Sequence, residues 1–208
     1  MSQTRVVTPP DAVDAAHHQI GNSLQSVASL LLWQGRGADP SVAAALFDAS
    51  RRVRVIMRLH QRLQGQAQGD VVRLDDLVHD ICRDIADIGG AHGDTTLRLD
   101  LEIVTVPARV ASALGLIAAE LTSNALEHGL ASGDGVCEVR LDGTPDGCRL
   151  TVSDDGVGFP SGADPLAGNG FGLSLVRRLT AQVHGSIIAT PLLPGVRYEI
   201  AIPLANRS

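Results

Sequence analysis

Aromatic side chains make up only 2% of this 208-residue sequence, so any core has to be built from Leu, Val, Ile and Ala. Basic residues are also short: 17 Lys and Arg against 23 Asp and Glu leave a net charge of −6. That balance argues against a general nucleic-acid binder, which presents a basic face. No stretch approaches the roughly eighteen unbroken apolar residues of a membrane helix. The N-terminal segment lacks the apolar core of a signal peptide. Cys82, Cys137 and Cys148 are the only cysteines, an odd count with no metal-ligand spacing. Cys137 and Cys148 could face each other across a hairpin, but buried free thiols in a reducing cytosol are the expected state. What remains is a cytoplasmic chain long enough for one or two ordinary domains.

Two patterns divide it. Residues 8–64 read as a helical hairpin. Thr8 is placed to cap a first helix, with Pro9 and Pro10 in its first turn and Asp11 near its positive end. Ile20, Leu24, Val27 and Leu31 then repeat at helical spacing. Gly35 to Pro40 breaks that helix, and Asp39 starts the next. The second helix carries Val42, Leu46, Val53, Ile56, Leu59 and Leu63, and places Arg51, Arg52, Arg54 and Arg58 mostly on its wet face. Two helices alone cannot bury both stripes, so a homodimer forming a four-helix bundle is expected. Gly65-Gln-Ala-Gln-Gly69 reads as a polar linker, giving domains at 1–66 and 70–208.

Beyond the linker the pattern mixes helices with strands. Leu74 to Ile88 reads as a helix stopped by Gly89-Gly90, and Leu97, Leu99, Leu101 and Ile103 alternate as in a half-buried strand. Pro107 opens a helix expected to run through His128. Hairpins are expected around Gly143–Gly147 and Pro194-Gly195, with a helix from Gly172 to His184 between them. The fold class is α+β: the helical hairpin, then a sandwich of helices on one face of a mixed, mainly antiparallel sheet.

Three short blocks in the second part carry chemistry. Glu120, Asn124 and His128 are spaced by four, so they share one side of their helix. An exposed carboxylate and amide there suit Mg²⁺, which prefers oxygen ligands. Asp154 ends a strand just before Gly156-Val-Gly158, where a carboxylate can accept from the exocyclic amine of adenine. Gly168-Asn-Gly170-Phe-Gly172 then leads into a helix, and such a loop lets backbone N–H groups close around phosphates. Each block alone is weak, since polar helix faces and Asp-Gly turns are common.

In order and together, the blocks resemble the N box and two glycine boxes of the GHKL ATP-binding fold, shared by histidine kinases, Hsp90, MutL and type II topoisomerases. The run from Leu114 to Leu130 resembles in particular the histidine kinases with the second, HWE-related type of dimerisation domain. Upstream, His17-His18-Gln-Ile-Gly-Asn22-Ser-Leu-Gln25 is similar to that family's phosphoacceptor block, and the likeness spans about residues 12–203. The resemblance implies ATP and Mg²⁺ as cofactors, with Asn124 on the metal and Glu120 polarising the metal-bound or attacking groups. It places Asp154 on adenine and Gly156, Gly158, Gly168, Gly170 and Gly172 in the walls and lid, with His128 beside the nucleotide. His18 stands at the phosphoacceptor position, with His17 its neighbour. Gln19 and Gly21 stand where the family carries arginine and lysine, and Glu127 where many relatives carry lysine.

The function so implied is an ATP-dependent protein histidine kinase that phosphorylates His18 and passes the group to an aspartate of a response-regulator receiver domain. The alternatives are a histidine phosphotransferase with little or no use of ATP, and an anti-sigma serine kinase, a group that generally lacks the histidine-bearing hairpin. Too few residues precede the acceptor block for a folded input domain, so the signal is expected from a separate sensor protein or from a longer chain of which this is part.

Overall fold

The computed structural model describes residues 10–64, 71–88, 95–131, 133–160, 162–167 and 170–204. The expected cap at Thr8, the linker 65–69, the helix stop at Gly89-Gly90 and the loop glycine Gly168 lie outside the described residues. The chain divides into two compact units, Met1–Gly69 and Asp70–Ser208.

The first unit is an antiparallel pair of helices, α1 (Pro10–Gly35) and α2 (Pro40–Gln64). Asp39 starts α2: its carboxylate accepts the Ser41 N–H at 3.0 Å and the Ser41 hydroxyl at 2.7 Å. Those bonds hold the exposed Asp39 carboxyl below its ordinary pKa. Ala28 and Val55 are buried in the pair, and the Ser50 hydroxyl donates across it to the Ala28 carbonyl at 3.0 Å. Much of the apolar stripe stays uncovered: Ile20 is 45% exposed, Val27 46% and Ile56 44%. Arg51 corrects the expectation of a wet basic face. It is only 8% exposed, its guanidinium 2.9 Å from Asp48 one turn back.

The second unit opens with β1 (Val71–Arg73) and α3 (Leu74–Ile88). In α3, Leu74, Leu77, Val78, Ile81 and Ile85 are buried on one face, while Asp75 and Asp76 favour the positive helix end. The strands β2 (Thr95–Leu101) and β3 (Thr105–Pro107) follow, then α4 (Ala108–Asn124), which Pro107 precedes at the N-cap. Ile103 lies outside β2 and is 75% exposed, because the strand ends two residues earlier. The α-helical hydrogen bonding stops at Asn124, and residues Ala125–Gly129 form a π turn closed by the Leu130 N–H on the Ala125 carbonyl at 2.8 Å.

The remaining elements are β4 (Gly135–Thr144), β5 (Gly147–Asp154), α5 (Phe171–Gln182), β6 (Ser186–Pro191) and β7 (Val196–Pro203). Five strands form one sheet in the order β2-β4-β5-β7-β6, with β2 parallel to β4 and every other neighbour antiparallel. Strands β1 and β3 pair separately. Helix α4 packs on α3, α5 and the sheet; Leu114, Ile117 and Leu121 are at most 1% exposed and contribute about 1.5–3 kcal/mol each. The opposite sheet face carries exposed Arg98, Glu138, Arg140 and Arg197, which identifies it as the solvated side. Cys137 pairs with Asp154 and Cys148 with Gly143, so the two cysteines sit at opposite ends of the β4–β5 hairpin and do not face each other. All three cysteines are free and buried, and burial pushes the Cys82 thiol up to about 12. Among the described residues no helix is long and apolar enough to cross a membrane.

Candidate nucleotide site

Helix α4 carries the first group. Glu120 is 1% exposed, which corrects the expectation of an exposed acid, while Asn124 one turn later is half-buried. The start of α5 comes close to both. A β-carbon at Gly172 would stand 2.8 Å from Glu120 Oε2, and 3.8 and 3.9 Å from the Asn124 amide oxygen and nitrogen. Glycine at 172 lets the positive end of α5 approach this carboxylate without displacing it. Gly170, preceding that helix, has open space where a side chain would be. The group thus offers an oxygen ligand, a carboxylate and a helix N-terminus in one place. Mg²⁺ is commonly held by one or two protein oxygens together with phosphate oxygens, and Asn124 beside a side-chain-free position fits that demand.

Asp154 forms the second group. It closes β5, is 5% exposed, and accepts the Gly156 N–H at 3.0 Å. Burial holds its carboxyl above the ordinary range despite that bond, and the adjacent Asp155 adds to the rise. The backbone crowds it. A β-carbon on Gly129 would lie 2.7 Å from Asp154 Oδ1, and one on Gly195 1.8 Å from the Asp154 carbonyl oxygen. Gly156 packs on the Gly129 carbonyl in the same way, and Gly158, at φ 61°, packs on Gly195. Gly156 and Gly158 are therefore required by neighbouring backbone as much as by any ligand.

The π turn joins the two groups. It leaves Asn124, turns through the exposed His128, and delivers Gly129 against Asp154, where the Val157 N–H donates to the Gly129 carbonyl at 2.9 Å. One extra residue in a helix re-aims the chain beyond it, and such turns are frequent at functional sites. Glu127 on the same turn accepts from the Ser123 hydroxyl. Gly195 is legible in the sequence only as a hairpin turn, and Gly129 only by its place directly after the Glu-His pair, because their packing on Asp154 is a close approach between distant segments. His17 and His18 fall on α1, in the other unit.

Residues 109–206 match the family described as "Histidine kinase-, DNA gyrase B-, and HSP90-like ATPase", and residues 16–88 match one described as "Histidine kinase". The chain carries the two domains of a histidine kinase. Residues 16–88 are of the second, HWE-related type, and that match runs to the end of α3. A sensor histidine kinase, PdtaS, from Mycolicibacterium smegmatis is 32% identical over 199 residues, covering 92% of this chain and 39% of that protein. Blue-light-activated histidine kinase 2 from Erythrobacter litoralis is 28% identical over 197 residues, covering 91% of this chain and 56% of that one. The chain thus spans less than two thirds of either relative. The solved histidine kinase domain of a blue-light activated kinase from Erythrobacter litoralis superposes with a TM-score of 0.72 at 24% identity, over 88% of this chain and 96% of that one, and shares its fold.

Proposed function

We propose that this chain is an ATP-dependent protein histidine kinase that phosphorylates its own His18 and hands the phosphoryl group to an aspartate on a response-regulator receiver domain. The observation that carries this reading is the meeting of Glu120, Asn124 and Gly172 at the first turn of α5, joined by the π turn to the Asp154 pocket.

In this reading residues 70–208 bind Mg-ATP and residues 1–66 form the dimeric phosphoacceptor hairpin. Asp154 accepts from the purine amine; the tight backbone at Gly129, Gly156 and Gly195 fixes its carboxylate. Asn124 holds Mg²⁺, which when bound neutralises charge on the phosphates. The N–H groups at the start of α5 and the glycines before it face the phosphate oxygens. Glu120, fixed by burial, polarises the attacking group. His18 attacks the γ-phosphorus through a neutral ring nitrogen, the nucleophilic form of an imidazole, while the bond from that phosphorus to the bridging oxygen breaks and ADP leaves. Phosphoryl transfer asks mainly for positioning and charge neutralisation, which is what this residue set offers. The receiver aspartate then takes the phosphoryl group from the imidazole.

The test is transfer of label from γ-phosphate-labelled ATP. Acid-labile label on the chain supports the kinase. Acid-stable label on a partner serine, or an unlabelled chain that a phosphorylated receiver still charges, would replace this reading with the serine kinase or the relay.

A further inference from the structure

Residues 162–167, between β5 and α5, are more tightly built than a flexible connection requires. Asp164 accepts the Leu166 N–H on its carboxylate at 2.8 Å and the Ala167 N–H on its carbonyl at 3.0 Å, closing a compact turn. Pro165, within the turn, is buried. From the second turn of α5, the Arg177 guanidinium donates to the Leu166 carbonyl. A bond from a charged donor is stronger than a neutral one, and the planar fork loses little freedom in making it.

The turn lies in the segment that leads from Asp154, the last residue of β5, to Phe171, the first of α5. Tyr198 is 5% exposed and pairs with Val152, while Asp154 pairs with Val196, so Tyr198 and Asp154 are diagonal neighbours on one sheet face. The buried Tyr198 phenol is pushed up to about 12 by burial first, then by the carboxylates of Asp154 and Asp164. Along the chain, segment 162–167 therefore stands between the proposed purine end of the site and the helix proposed to face the phosphates.

We propose that Arg177 is a positioning residue for the nucleotide: its bond to the Leu166 carbonyl fixes turn 162–167 before ATP arrives. Ordering that turn beforehand spares binding energy that ordering it on the ligand would consume. The proposal rests on the nucleotide-site reading above, and the experiment separates the two. Wild type, Arg177→Met and Arg177→Lys are titrated with Mg-ATP, and amide exchange is followed at Leu166 and Ala167. Arg177→Met keeps the aliphatic stem and removes the donors. It should weaken Mg-ATP about tenfold and speed exchange at both amides, with Arg177→Lys recovering part of the affinity. Phosphoryl return to the hairpin from a phosphorylated receiver, which needs no ATP, should be unchanged. Wild-type affinity in Arg177→Met overturns the proposal, as does unchanged amide exchange. A wild type that binds no Mg-ATP removes the nucleotide site and this role with it. Should Arg177→Met fail to fold, Arg177→Gln supplies the same comparison, with the same loss expected and wild-type affinity again decisive against it.

Discussion

Gly172 and Glu120 lie so close that a β-carbon on residue 172 would meet Glu120 Oε2 at 2.8 Å. The obstacle is the tip of a side chain rather than backbone, so an added methyl displaces the carboxylate without breaking the fold. Gly172→Ala should therefore melt within a few degrees of wild type yet lose about a hundredfold in autophosphorylation, as expected for a shift of about 1 Å at a reacting centre. Thermal melts and initial labelling rates check this together. Full activity in Gly172→Ala would show that Glu120 has no positional role.

Asp154 makes stability and function pull in opposite directions. Burial raises its carboxyl pKa, so between the ordinary value and the raised one the folded chain holds more protons than the unfolded chain. The residue's contribution to stability is thus fullest below the ordinary value and declines as pH rises through the raised one. Asp154→Asn should raise Tm at neutral pH, with the gain shrinking toward about pH 4. Affinity for ATP should fall about ten- to a hundredfold through the lost hydrogen bond to a charged acceptor. Melts at the two pH values and a nucleotide titration supply both signs. A neutral-pH Tm below wild type would contradict the burial argument.

Much of this was legible in the sequence, and the failures share a cause. Helix α3 could be placed at Leu74 to Ile88 because Leu74, Leu77, Val78, Ile81 and Ile85 repeat at a helical period, and the structure has the same bounds. The five long strands were announced by alternation or by turn residues. The three-residue β1 and β3 were not, since a pair such as Val72 with Val106 depends on distant partners rather than on local pattern. The π turn was equally silent: Ala125 to Gly129 continues a helical pattern, and only the closure at Leu130 marks the change. Arg51 and Glu120 were misplaced for one reason, that charge alone does not report burial when packing supplies the surroundings.

The uncovered stripe on the hairpin has its own consequence. With Ile20 45% exposed, Val27 46% and Leu30 52%, the first unit leaves much apolar surface in water. Wild type should sediment as a dimer at micromolar concentration, and a paired Ile20→Glu and Val27→Glu change should yield monomers whose Mg-ATP affinity is intact. Sedimentation velocity with a parallel nucleotide titration reads both. A monomeric wild type would remove the four-helix bundle.

The most direct measurement is labelling from γ-phosphate-labelled ATP with Mg²⁺, run on wild type, His17→Ala, His18→Ala and Asn124→Ala. Acid-labile label should appear on wild type and His17→Ala. It should be absent from His18→Ala and reduced at least about a hundredfold in Asn124→Ala, where charge neutralisation at the phosphates is lost. Label that persists undiminished in His18→Ala would contradict His18 as the acceptor, and undiminished label in Asn124→Ala would contradict the metal site.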